Sequence, residues 1–153
     1  MSTYNVSNIE DCIESEYKDL IKALDDNLIS IFIIGSMKNK EKVLNKYNDY
    51  DVRILVKEMD LKTYNTIIEF NKLASNKIKE LGIDVAHSLI IGPARHITDS
   101  NINLLIHCIP MTLESLESLP LTHRYSYSCN YRIIYGEDVL KKYQDIRFTG
   151  TDI

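Results

Sequence analysis

Ile33-Ile34-Gly35-Ser36, then twelve residues, then Asp49-Tyr50-Asp51-Val52-Arg53-Ile54-Leu55-Val56: an apolar run stops at a glycine and a hydroxyl, and an alternating acidic run follows. Leu28 to Ile34 is β-branched and bounded by Gly35, the signature of a buried strand. Tyr50 to Val56 reads as a second strand with one face buried. A period of two puts Asp49, Asp51 and Arg53 on one face and Tyr50, Val52 and Ile54 on the other. Two carboxylates on one rigid strand repel each other, and a divalent cation relieves that repulsion; Mg²⁺ takes one or two carboxylates and leaves its other positions to phosphates. Gly35 and Ser36 offer close backbone approach and a hydroxyl to such a phosphate chain.

Outward from this stretch, Ser7-Asn8-Ile9-Glu10 has the form of a capping box, and Ile9, Ile13, Tyr17, Leu20, Ile21 and Leu24 follow at helical spacing. A helix over about 8–25 is expected. Asn39 to Tyr47 is polar and lysine-rich, expected as a short exposed helix. Asp60 is a good N-cap for the longest helix, whose stripe is Leu61, Tyr64, Ile67, Ile68, Leu73, Ile78 and Leu81, with Gly82 as its stop. Val85 to Ile91 and Ile102 to Ile109 read as antiparallel neighbouring strands. A short helix from Thr112 ends before Pro120, Tyr131 to Tyr135 is a last strand closed by Gly136, and Glu137 to Tyr143 is a last short helix. Tyr125, Tyr127, Tyr131 and Tyr135 alternate like a half-buried strand face, so packing is preferred to base stacking. The expected class is α/β or α+β, a mixed sheet flanked by helices.

The combined motif resembles the nucleotidyltransferases of the DNA polymerase β superfamily, in which an apolar strand ends in Gly-Ser and the next strand carries an acid, an apolar residue and an acid. Tyr131-Arg132-Ile133-Ile134-Tyr135-Gly136-Glu137-Asp138 is similar to the late strand and turn of small bacterial members, the minimal and aminoglycoside nucleotidyltransferases, and Pro120-Leu121-Thr122-His123 is similar to a segment of some antibiotic-modifying members. The resemblance implies a nucleotidyltransferase fold. It implies Asp49 and Asp51 as ligands of Mg²⁺ or Mn²⁺, and Gly35 and Ser36, with Lys38 and Arg53 beside them, as the holders of a nucleoside triphosphate, ATP first. The implied reaction moves a nucleoside monophosphate, AMP first, to an acceptor hydroxyl on a small molecule or a protein, with release of pyrophosphate. Active members add a third carboxylate from a later strand. Here the expected position holds Asn103, whose amide cannot accept a proton at neutral pH. Asp84 and Asp99 are substitutes in another register, and His107, on Asn103's face, is a candidate base.

Each residue also has a plainer reading. Asp49-Tyr50-Asp51 alone can be a solvated strand face, and Gly35-Ser36 an ordinary turn. Arg53 either binds phosphate or balances Asp51; Lys38 and Lys40 are ordinarily solvated; His87 and His123 are ordinarily packed or surface residues. The alternative function is a catalytically lapsed module of the same fold that binds a nucleotide or a protein partner, antitoxin-like or regulatory.

Bulk properties restrict the rest. The chain has 153 residues, 44% hydrophobic and 26% charged, with a formal charge of -4. This suits one domain over 1–153 with its core at about 28–136, and disfavours broad nucleic-acid binding, which needs clustered Lys and Arg. The three cysteines, Cys12, Cys108 and Cys129, give neither a disulfide framework nor a zinc pair and are expected as buried small hydrophobes. No run approaches the roughly 20 apolar residues of a membrane span, and the N-terminus lacks signal-peptide features, so a cytoplasmic setting is expected. A nucleotidyltransferase core would occupy nearly the whole length. The acceptor-binding half is then expected from a homodimer, a partner protein, or a longer chain of which this is the N-terminal part.

Overall fold

The computed structural model describes residues 3–88 and 101–147, with the side chains of His87 and Ser88 left aside. The chain begins with α1 (Val6–Cys12) and α2 (Glu14–Leu24), broken at Ile13. Ile13 leaves helical geometry at φ -110°, ψ 16° yet is 1% exposed, so both short helices turn an apolar face inward across the break. The N-terminal box is built two residues earlier than expected. Asn5 and Asn8 cap each other reciprocally at 2.9 Å, and Ser7 lies inside the first turn, with its N–H donating to the Lys40 carbonyl at 3.0 Å.

β1 (Leu28–Ile34) runs to Gly35, and a 3₁₀ turn covers Ser36–Lys38. The expected helix over 39–47 does not form. The Asn39 side chain accepts from the Glu41 N–H, Asn45 from that of Tyr47, and Asn48 from that of Asn45. Short polar side chains thereby replace the backbone partners that a helix would need. β2 (Asn48–Val56) leads to α3 (Leu61–Lys79), capped by Asp60 at 2.7 Å from the Thr63 N–H as the sequence implies, with Gly82 three residues past its end.

β3 (Asp84–Ser88) and β4 (Asn103–Thr112) are parallel, not antiparallel. Alternation in a strand does not encode direction, and the fourteen residues between them meet the length that a parallel crossover needs. α4 (Leu113–Ser118) has Thr112 as its N-cap and is followed by α5 (Leu121–Cys129), where the tyrosine alternation had suggested a strand. Only Tyr131 and Tyr135 belong to a strand, β5 (Tyr131–Gly136). The final helix is reduced to a 3₁₀ turn at Lys141–Tyr143, entered after the Asp138 carboxylate accepts the Leu140 and Lys141 N–H groups in the manner of an N-cap.

The sheet order is β3-β4-β2-β1-β5; β1 is antiparallel to both of its neighbours, and β2, β3 and β4 are mutually parallel. This is the expected mixed sheet flanked by helices. One face, with Ile31, Ile33, Tyr50, Val52, Ile54 and Ile106, packs on α1, α2 and α3. The other, with Phe32, Leu55 and Met111, packs on α4, α5 and the last turn. Asp49 and Asp51 belong to this second face, at its less covered end.

Tyr50, between the two acids but pointing to the first face, is 1% exposed, and its hydroxyl meets that of Tyr17 at 2.7 Å. Burial raises both phenols well above the usual tyrosine range, so they stay neutral and share one hydrogen bond. Removing one partner strands a buried hydroxyl, while removing both does not. Tyr50→Phe and Tyr17→Phe should each cost about 1–3 kcal/mol in urea unfolding, and the double variant less than their sum. Strict additivity would refute the pairing.

Only Cys108 fits the expected buried cysteine; Cys12 is half-buried and Cys129 exposed. Burial pushes the Cys108 thiol up to about 12, with Arg53 opposing. Iodoacetamide at pH 8 should therefore label Cys129 in the native protein and Cys108 only on unfolding; mass spectrometry that finds native Cys108 labelled first would contradict this.

Candidate functional site

The site forms where β1 ends beside β2. The β1–β2 ladder closes with Ile34 opposite Asp51, so Gly35 turns away directly above the Asp51 carboxylate. Gly35 has φ +84° and ψ -160°, a conformation that L side chains rarely adopt, and its N–H donates to the Asn130 carbonyl at 2.9 Å. A Cβ at this position would meet Asp51 Oδ2 at 3.7 Å. The glycine therefore keeps a space open in front of the carboxylate. Asp49 lies beyond the last ladder pair with β1, on the same strand face as Asp51.

From the other side, β4 sets Leu105 opposite Asp49 and His107 opposite Asp51. His107 Nδ1 is 2.9 Å from Asp51 Oδ1, with the side chains 17% and 26% exposed, so the imidazole fixes the rotamer of that acid. Its Nε2 is shielded from solvent and has no partner among the described residues. Asn103 lies four residues before His107, roughly 13 Å along the strand, opposite Asp84 on β3. The register sets His107 directly opposite Asp51, puts Asn103 two residues before Leu105, the partner of Asp49, on the same strand face, and leaves Asp84 on β3, separated from β2 by β4. Asn103 is nevertheless tied to β2, because its carbonyl accepts from the buried Asn48 amide at 2.8 Å. Asp99 lies outside the described residues.

Ser36 is exposed, and its hydroxyl accepts from Lys42 Nζ at 2.6 Å. Lys42 was not singled out by sequence reasoning, and one signal for it existed, a lysine within a few residues of a glycine-serine turn. Lys38 is exposed, with its carbonyl held by Arg132 Nε at 2.7 Å. Arg53 is 6% exposed, under α5, with its guanidinium 5.6 Å from the Tyr127 ring centroid and one bond to the Val52 carbonyl. It forms no ion pair with Asp51.

Among the described residues no three His, Cys, Asp or Glu side chains cluster closely enough to hold a metal by themselves. Asp51 Oδ2 stands beside a space kept clear by Gly35, with Asp49 on the same strand face, and hard carboxylate oxygens of this kind suit a cation of the Mg²⁺ type that completes its shell with phosphate and water. A groove of about 790 Å³ lies elsewhere, between α2 and α3, lined by Leu20, Leu61, Phe70 and Leu73. It is apolar and remote from every residue of the site. Among the described residues no helix is long and apolar enough to cross a membrane.

No family model matches the chain, and no curated protein matches it. Among solved structures, it is similar to a chain of the complex between a tri-AMPylated HEPN toxin from Shewanella oneidensis and MNT antitoxin, at 12% identity over 87% of this chain and 77% of that one, TM-score 0.42. It is similar to a chain of the MntA–HepT toxin–antitoxin at 11% identity, covering 87% and 79%, TM-score 0.41. It is also similar to spectinomycin adenyltransferase from Enterococcus faecialis, solved with ATP and spectinomycin, at 16% identity, TM-score 0.43, where it covers 85% of its own length and 57% of that protein's.

Proposed function

We propose that this protein is a nucleotidyltransferase that moves a nucleoside monophosphate, AMP first, from a triphosphate to an acceptor hydroxyl. The observation that carries this is the Asp49–Asp51 pair on one strand face, with Gly35 holding open the space in front of Asp51. Asp49 and Asp51 are assigned as ligands of Mg²⁺ or Mn²⁺, which when bound would offset the charge of the triphosphate at the transferring phosphorus. Gly35 admits the phosphates to that space, and Ser36, Lys42 and Lys38 supply a hydroxyl and two flexible cations at its rim. His107 is assigned to orienting Asp51 through Nδ1, since its Nε2 is buried and poorly placed to meet a substrate. Arg53, packed on Tyr127, contributes positive potential from beneath the face more than a direct phosphate contact. The acceptor oxygen bonds to the α-phosphorus, pyrophosphate leaves, and one proton is released.

The acceptor class is a small molecule or a protein, with a second copy or a partner protein supplying the acceptor's surface. A soluble, cytoplasmic setting agrees with the reading. The test is transfer of label from α-labelled ATP with Mg²⁺ or Mn²⁺, in wild type and in Asp49→Asn and Asp51→Asn.

One observation favours a second reading, a lapsed module that binds nucleotide or a partner without chemistry: β4 sets Leu105 and His107, not a carboxylate, opposite the two acids. That reading expects nucleotide-dependent stabilisation with no pyrophosphate release. Steady release that depends on Asp51 removes it.

A further inference from the structure

The turn that carries Ser36 and Lys38 is gripped from behind the sheet. Arg132 on β5 stands opposite Ile33 of β1, with its side chain on the face away from Asp49 and Asp51. Its Nε donates to the Lys38 carbonyl at 2.7 Å, and one terminal nitrogen reaches the Met37 carbonyl at 3.4 Å. The same guanidinium forks onto both oxygens of Glu10 on α1, through NH1 at 3.1 Å and through NH2. The pair is largely buried, the Arg132 side chain 21% exposed and that of Glu10 11%.

The rest of the segment is held by the N-terminus. The Val6 and Ser7 N–H groups donate to the Lys42 and Lys40 carbonyls, and the Leu44 N–H donates to the Tyr4 carbonyl. Met37, at the centre of the turn, is 1% exposed and anchored in the helix-side core. A turn between two strands would ordinarily be a mobile loop. Here one planar donor fork, 94 residues from Lys38 and 122 from Glu10 in sequence, connects two of its carbonyls to a carboxylate. Lysine cannot reproduce that geometry, because it is a point charge without a fixed fork.

We propose that Arg132, held by Glu10, is a positioning residue that presets the Ser36–Lys38 turn for a triphosphate. This rests on the nucleotidyltransferase reading above. Arg132 lies behind the sheet and touches no substrate; it acts through the backbone of Met37 and Lys38. A preset turn needs no ordering on binding, so losing the clamp lowers the fraction of molecules that can bind. If that fraction falls to about a tenth, the apparent affinity for nucleotide falls about tenfold, with chemistry in the bound state unchanged.

The test uses the full chain and three variants: Arg132→Lys, Glu10→Gln, and the double Arg132→Met/Glu10→Met, which replaces the buried ion pair with apolar volume so that the fold is kept. Amide hydrogen exchange over residues 36–42 is measured without nucleotide, together with thermal unfolding, the Kd for a non-hydrolysable ATP analogue with Mg²⁺, and KM and kcat for transfer. The expected result for the double variant is loss of exchange protection at 36–39 with 40–42 less affected, about tenfold weaker analogue binding and higher KM, and kcat within about twofold of wild type. Arg132→Lys should fall between the double variant and wild type.

Unchanged protection in 36–42 overturns the clamp. Lost protection with unchanged analogue affinity, or a fall in kcat alone, overturns the positioning role. A wild type that binds no analogue overturns the nucleotidyltransferase reading and this role with it, and exchange in 36–42 then reports on the clamp by itself.

Discussion

Asp51→Asn and Asp49→Asn should each reduce transfer from ATP by about 10²- to 10³-fold while the protein still folds. The size follows from what each acid is asked to do. A cation held at a transferring phosphoryl group is worth several kcal/mol of charge stabilisation, and each 1.4 kcal/mol is a factor of ten in rate. Removing one of two ligand charges sacrifices about 3–4 kcal/mol of that. Folding should survive the isosteric change, since an amide keeps the carboxylate's volume and one accepting oxygen. Both residues are only partly buried, and with no cation bound the change relieves repulsion, so the melting temperature should stay within about 3 °C of wild type. His107→Ala should cost less, about 10- to 100-fold, because it loosens the rotamer of Asp51 without removing a ligand. Pyrophosphate release measured beside label transfer separates the outcomes. Release that survives in Asp51→Asn within threefold would remove Asp51 from the chemistry and the proposed reaction with it.

The parts of this site legible in the sequence are those set by one strand at a time. A period of two is enough to put Asp49 and Asp51 on one face, and the apolar partners Tyr50, Val52 and Ile54 state which face is buried; in the structure they line the helix-side core. The end of β1 at Gly35 and the span of α3 are legible for the same local reason: an abrupt change of residue type, and a cap with a stripe. What requires two strands to be aligned was not legible. Asn103 and His107 share a face, so periodicity cannot choose between them. Only the β2–β4 register sets His107 against Asp51, and that register comes from packing across the sheet.

Direction failed for β3 and β4 because each reads alone as a short apolar run, and how two runs lie against each other is set by the connection and by β2 on the far side of β4. α5 was hidden by Tyr125 and Tyr127, whose spacing imitates a strand face over a segment too short and polar to show a helical stripe. Arg132 illustrates the limit most clearly. In the sequence it is one basic residue in an apolar strand, and its role appears only when the fold brings it to Glu10 and the Lys38 carbonyl, both from the far, N-terminal end of the chain.

Gly136→Ala should destabilise the protein by about 3–5 kcal/mol. Gly136 closes β5 at φ +85°, pairs with Ser30, and lies so near β1 that an added Cβ would overlap the Ile29 carbonyl oxygen and stand 3.0 Å from its carbon. Two costs combine. The backbone conformation alone is worth about 1–3 kcal/mol for a residue with a side chain. The overlap adds to it because the obstruction is backbone, which cannot rotate away, and the Ile29 carbonyl is already accepting the Glu137 N–H at 3.1 Å. Relief requires β5 to withdraw from the sheet edge, which would pull Ile133 and Tyr131 from the second cluster and Arg132 from the turn. A loss of this size takes a large share of the 5–15 kcal/mol that domains typically possess.

Gly35→Ala is the informative contrast. Its φ of +84° imposes the same kind of strain, but the nearest atom to a Cβ is Asp51 Oδ2 at 3.7 Å, an ordinary contact. It should cost only the strain, about 1–3 kcal/mol, while placing a methyl group in front of the carboxylate that a triphosphate would approach in the proposed reaction. Urea unfolding and nucleotide binding on the two variants should therefore rank in opposite orders per unit of stability lost: Gly136→Ala unfolds far more easily, and Gly35→Ala remains folded and loses the nucleotide. Equal stability losses would mean that the β1–β5 edge adjusts to a side chain at Gly136, and a Gly35→Ala protein that binds nucleotide normally would mean that the space in front of Asp51 is not where phosphates enter.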